Sequence, residues 1–166
     1  ASCLSRATCP LTYLDLSGNS IPQSTAMALA SALRSNTSLS SLKLNHCSLG
    51  DVGIEQLATS LAHNTTLGHL NISSNGIGPL GAKSLAKGIE NSKSLGHLNA
   101  SHNPFQHAGM SLIFEAFTAN DSLREIDIGF CQFTTATWTL LSQSVNSWVK
   151  IWKLDLSGNM AFPVPC

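Results

Sequence analysis

The chain repeats itself every 28 residues, six times over, with no insertion or deletion. Leu11, Leu39, Leu67, Leu95, Leu123 and Ile151 open the copies, and three residues on stand Leu14, Leu42, Leu70, Leu98, Ile126 and Leu154. Two further on come Leu16, Leu44, Ile72, Ala100, Ile128 and Leu156. A polar column follows, Asn19, Cys47, Asn75, Asn103, Cys131 and Asn159, and then Ile21, Leu49, Ile77, Phe105, Phe133 and Ala161. Self-similarity at this period marks stacked supersecondary units, none of which can bury its apolar face alone.

Each copy contains two periods. Its leading L-x-x-L-x-L segment alternates apolar and polar residues, the mark of a half-buried strand. Strands are predicted near 13–16, 41–44, 69–72, 97–100, 125–128 and 153–156. Helical spacing follows in Ile54, Leu57, Leu61; Ala82, Leu85, Ile89; Met110, Ile113, Phe117; and Trp138, Leu141, Val145. Five helices are predicted. Gly53, Gly81 and Gly109 precede those faces, where a tight turn tolerates a missing Cβ; Thr25 and Thr137 take the same slot with a hydroxyl suited to capping. Asn36, Asn64 and Asn120 stand at the helix ends and are expected to close them in a left-handed conformation.

The pattern L-x-x-L-x-L-x-x-[NC]-x-L, held from residue 11 to 161, resembles the leucine-rich repeat family in its 28-residue, ribonuclease-inhibitor-like form. The resemblance implies an α/β fold, a right-handed solenoid forming a segment of a horseshoe, with a parallel sheet on the concave face and helices on the convex one. It implies a protein–protein interaction module inside a larger intracellular protein. Immune-receptor sensor arms, actin-regulatory scaffolds and bacterial effectors all carry such arrays, and a structural spacer or autoinhibitory segment is the alternative. Residues 1–166 read as one segment: 1–10 as the end of a preceding copy, with Thr8 in the slot later held by Asn36, copies starting at 11, 39, 67, 95 and 123, and a partial copy over 151–161. This looks like part of a longer array, whose neighbouring repeats would be packing partners.

The polar column has a structural explanation. A side chain there turns under the loop and bonds backbone groups otherwise orphaned, forming a ladder between copies. Cys47 and Cys131 share that column and are expected to be buried thiols, roughly 14 Å apart and too far for a disulfide. Cys3, Cys9 and Cys166 lie near the ends, and no C-x-x-C pair is present. This usage favours a reducing, cytoplasmic location. Five N-x-[ST] sequons, at Asn36, Asn64, Asn71, Asn99 and Asn120, read as coincidence in a chain rich in Ser and Asn.

Charge narrows the function. Nine basic and nine acidic residues cancel, and charged residues are 11% of the chain, too few to neutralise many phosphates, so nucleic acid is not the expected partner. No apolar run reaches the roughly 18 residues of a membrane span. No P-loop, His-Glu-x-x-His or nucleophile–base spacing is present, and no cofactor, metal site or catalytic residue is expected.

Recognition is therefore expected on the concave sheet. Its third column reads Tyr13, Ser41, His69, His97, Glu125, Lys153, and its fifth Asp15, Lys43, Asn71, Asn99, Asp127, Asp155. Arg124 and Trp152 end the second column, and Phe130 stands in the eighth. Adjacent His69 and His97 are expected to form a plain polar ladder with no Asp or Glu beside them, His102 lying too far along. Arg124 is expected to stack on Trp152, and Glu125 to pair with Lys153. Asp127 beside Asp155 is an unfavourable pair that a partner's cation would relieve. The expected partner-binding set is thus Tyr13, Lys43, His69, His97, Arg124, Glu125, Asp127, Phe130, Trp152, Lys153 and Asp155. Six strands spanning about 24 Å by about 17 Å offer on the order of 400 Å², half of the roughly 800 Å² a standard interface takes from each side.

Overall fold

The computed structural model describes residue 4 and residues 9–159. Six short strands, β1 (Tyr13–Asp15), β2 (Ser41–Lys43), β3 (His69–Asn71), β4 (His97–Asn99), β5 (Glu125–Asp127) and β6 (Lys153–Asp155), lie in chain order in one parallel sheet. Their register is the sequence offset itself: Leu42 faces Leu70, which faces Leu98 and then Ile126. Each strand ends one residue before its predicted limit, although the next residue still bonds across, as Leu16 N–H does to Lys43 C=O at 2.9 Å. Helices α1 (Gln23–Ser35), α2 (Gly50–Leu61), α3 (Pro79–Asn91), α4 (Gln106–Ala119) and α5 (Thr135–Ser144) fill the gaps. Packed helices sit 8–10 Å apart and paired strands about 4.8 Å, so a stack of such units bends with its sheet inside.

The predicted apolar columns form the core of the inner copies, while Leu11, which opens the first column, is exposed. Leu39, Leu42, Leu44, Ile54, Ile72, Leu85 and Ile89 are wholly buried. At the two outer strands Leu14, Leu16, Leu154 and Leu156 are only partly covered. The fifth copy departs from the pattern. Its helix stops at Ser144, and Val145 opens a 3₁₀ turn and is exposed rather than packed. Trp148 fills that space, its ring 5.1 Å from Phe114 and 5.4 Å from Phe117, with its indole N–H donating to Thr118 Oγ1 at 3.2 Å.

Three local expectations need correction. Gly53, Gly81 and Gly109 lie inside helices, not in turns. Close packing explains Gly81: a Cβ there would meet Asp51 Oδ1 and Ile77 Cγ2 at 2.6 Å. Asn36 and Asn120 close their helices with extended backbones rather than left-handed ones. Their side chains do the work instead. Asn120 Oδ1 accepts from Ser122 and Leu123 N–H, while its Nδ2 donates to Ile89 and Ser92 C=O of the preceding copy; Asn36 and Asn64 follow the same plan. Finally, Thr25 caps nothing, since α1 starts after Pro22 without a side-chain cap. Thr137 is the inner member of a capping box with Thr134.

Hydrogen bonds from the polar column link one copy to the next in the interior. Asn103 Oδ1 accepts from Asn75 and Ile77 N–H at 3.0 and 3.1 Å, and Asn75 Oδ1 from Cys47 and Leu49 N–H. Asn159 Oδ1 continues it to Cys131 N–H at 2.7 Å, and Asn19 Nδ2 donates to Leu16 C=O. Cys47 and Cys131 are buried free thiols pointing at backbone carbonyls. Burial pushes the Cys131 thiol up to about 12. Cys3, Cys166 and Thr8 lie outside the described residues.

Candidate concave-face site

Each strand is three residues long, so the third and fifth positions of each copy project from the sheet, flanking an inward Leu or Ile. Between these two rows runs an open trough of about 340 Å³ over Leu42, Leu70, Leu98 and Ile126. The rows have different duties.

The fifth row is largely engaged in the fold. Asp15, Asn71, Asn99, Asp127 and Asp155 each accept, through Oδ1, the backbone N–H two residues on, at 2.8–3.1 Å. These are Asx turns that end the strand. The sequence signal was available as Asx-x-Ser or Asx-x-Gly in five of six copies, and reading the row only as a surface missed it. The turn N–H also holds the Asp155 carboxyl below its ordinary range, and the Ser17 hydroxyl and N–H do the same for Asp15. Asp127 and Asp155, in register, thus carry like charges for a local reason, and Asp127 Oδ2 takes a further bond from Asn99 Nδ2 at 2.9 Å. Lys43, which cannot accept, lies over the Tyr13 ring at 5.5 Å instead.

The third row is freer and forms a relay. His69 and His97 stack with centroids 4.0 Å apart and planes 13° from parallel. A carboxylate does stand beside the pair, contrary to expectation: Glu125 Oε2 lies 3.4 Å from His97 Nδ1 because the register brings β5 next to β4. The same oxygen accepts from Lys153 Nζ at 3.1 Å, the expected ladder pair. Lys153 is the main reason the Glu125 carboxyl sits below its ordinary range. Burial, aided by the neighbouring His97, lowers His69. Among the described residues no three His, Cys, Asp or Glu side chains come together as a metal-ligand set.

Beyond the trough, Arg124 does not stack on Trp152. Its Nη1 donates to Asp121 and Leu123 carbonyls at 2.9 and 2.8 Å, turning the guanidinium back onto its own loop. Trp152 is left 69% exposed. The eighth row, Gly18, His46, Ser74, His102, Phe130 and Gly158, is left-handed in all six copies. Phe130 is stacked on His102 at 4.2 Å, and a Cβ on Gly158 would collide with its ring, so Phe130 is exposed but fixed.

A family model described as Leucine Rich repeat matches residues 35–58 and 63–86, and another, Leucine Rich Repeat, matches 10–31. No curated protein sequence matches the chain. Solved structures do. The actin-binding site 2 of leiomodin-1 superposes with a TM-score of 0.75 at 16% identity, covering 90% of this chain and 85% of that one. The tropomodulin C-terminal domain of Caenorhabditis elegans gives 0.72 at 16%, with 89% and 92% covered. TLR13 in its complex with ssRNA13 gives 0.60 at 24% over 93% of this chain, which spans only 20% of that one. These likenesses establish a shared fold. With the asparagine ladder, the 28-residue register and the family matches together, the chain belongs to the leucine-rich repeat family.

Proposed function

We propose that the chain is a non-catalytic docking module whose concave sheet takes part of another protein. The third row and the exposed, unstacked Trp152 carry this reading: a row of polar side chains on rigid strands ends at a large aromatic with most of its surface in water. Trp is among the residues most enriched at interface hot spots, and one held just ahead of β6 by its backbone N–H bond to Arg124 C=O at 3.0 Å loses little freedom on docking. Phe130, fixed by His102, is a second anchor. Around them Tyr13, Lys43, His69, His97, Glu125 and Lys153 would read a polar partner surface, with Arg124, Asp127 and Asp155 bonded to their own loops.

Catalysis is disfavoured because the nucleophile candidates are occupied. Ser17 donates to Asn45 Oδ1, Ser101 to Asn99 Oδ1, and the Cys131 thiol is buried. Nucleic acid is disfavoured because the trough is lined by two lysines against three carboxylates. The small area argues for further repeats completing the surface, in an intracellular protein. Actin is the first partner to try, since the leiomodin-1 structure is of an actin-binding site. Photocrosslinkers at Tyr13, His97 and Lys153, and as a convex control at Leu80, would be exposed to actin and to cell extract. Adducts at the sheet positions, weakened about 30-fold by Trp152→Ala, are the expected result. Adducts confined to Leu80 would overturn it.

A further inference from the structure

The trough holds a chain of titratable groups that docking alone does not call for. His69 and His97 are stacked in its middle, Glu125 touches His97, and Lys153 touches Glu125. A neutral imidazole pair of this kind accepts one proton readily when a carboxylate faces it, because the charge then sits against an opposite one. A second proton, on a ring 4.0 Å away, meets the first. Coupled groups of this sort gain their charges in separate steps.

The surroundings make those steps consequential. The charged groups facing the pair are Lys43 on β2, Glu125 and Asp127 on β5, and Lys153 and Asp155 on β6; Tyr13 and Asp15 lie further off on β1. With both histidines neutral the trough carries one net negative charge. One proton brings it to zero and two make it positive. Asn71 and Asn99, the fifth-row neighbours of the pair, contribute no charge to blunt the change.

We propose that the stacked His69–His97 pair, joined through Glu125 to Lys153, is a proton-operated switch that turns the concave face from acidic to basic as the medium passes from neutral to mildly acidic. Resting on the docking reading, it makes partner choice depend on pH: a cationic segment is favoured at neutrality and released in acid. Burial and the neighbouring His97 both lower His69, while Glu125 raises it.

The switch is testable without any partner. Near-surface potentials at the amides of Asn71 and Asn99 would be measured from paramagnetic relaxation by a cationic and an anionic nitroxide, from about pH 7.5 to about pH 5, a window that covers the ordinary histidine value and a lowered His69. The potential should rise by about one kT per unit charge, the effect of a charge some 8 Å off in water, and change sign. His69→Gln/His97→Gln should abolish the rise while leaving the spectrum folded. Imidazole titrations by NMR supply the second readout: His97→Gln should move the His69 midpoint up, and Glu125→Gln should move it down. A potential that stays negative at the lower pH, or a His69 midpoint unmoved by both substitutions, overturns the switch. Failure of the crosslinking experiment would remove the docking role and leave these titrations standing.

Discussion

Asn103 is where the fold's dependence on one side chain is most open to test. It is fully buried and makes five hydrogen bonds: Oδ1 accepts from Asn75 and Ile77 N–H, and Nδ2 is shared among Ile72, Ala100 and Ser101 carbonyls. Asn103→Ala does not orphan all five partners. Ile72 C=O keeps a bond from Asn75 Nδ2, and Ser101 C=O one from Ser74 N–H. Two N–H groups lose their acceptor, and Ala100 C=O is left with only the long contact from the Cys131 thiol at 3.6 Å. Three buried groups at about 1–2 kcal/mol each give a loss of roughly 3–6 kcal/mol. Asn103→Cys should cost about half of this, because a thiol restores a donor and two copies already use one. Ile21 N–H of the first copy turns to the backbone carbonyl of Cys47 in the second at 3.0 Å instead of to a side chain. Urea unfolding gives the free energies, and hydrogen exchange should show Asn75 and Ile77 amides accelerated above their neighbours. A loss under about 1 kcal/mol for alanine, or cysteine as damaging as alanine, would refute the ladder argument.

Gly81→Ala should destabilise by about 1–3 kcal/mol, since the new methyl meets Asp51, Ile77 and Ile54 within 2.7 Å; Gly53→Ala, whose nearest contact is 3.0 Å, should cost less in the same unfolding assay. Carboxylates held below their ordinary range, Asp15, Asp121, Glu125 and Asp155, add stability that is present above that range and lost as pH falls through their folded values. Unfolding free energy should therefore drop on acidification below about pH 4, less steeply in Asp155→Asn. Native Cys47 and Cys131 should resist iodoacetamide and label on unfolding, as peptide mass spectrometry would show, because burial keeps both thiols protonated.

The repeat register, the parallel pairing and the asparagine ladder were legible because each depends on a column of identical chemistry. Leu42, Leu70 and Leu98 could not be buried together in any other phase. Where the reading went wrong, the determining contact came from another copy or from an irregularity. Gly81 looks like a turn residue in isolation, and only the approach of Asp51 and Ile54 from α2 explains it. Val145 continues the helical spacing of the fifth copy, yet Trp148, three residues on, outcompetes it for the space beside Phe114 and Phe117. An aromatic that size buries more surface than a valine, at the expense of the last helical turn.

The candidate site was legible in composition and not in allegiance. A sheet face offers each residue to solvent, but a polar side chain there chooses between a partner and its own backbone. Asp, Asn and Arg, short or forked, find backbone groups two or three residues away, as Asp127, Asn99 and Arg124 do. Once so engaged, their exchange for a partner's bonds gains little, since one hydrogen bond replaces another. His, Glu and Lys on the third row have no such neighbour within reach and bond across strands instead. Trp152 has neither kind of bond holding its exposed face. Recognition should thus concentrate on the third row and Trp152, where the fold leaves side chains with surface or charge still to satisfy. The fifth row, which looks more chemically promising in the sequence, mainly ends strands.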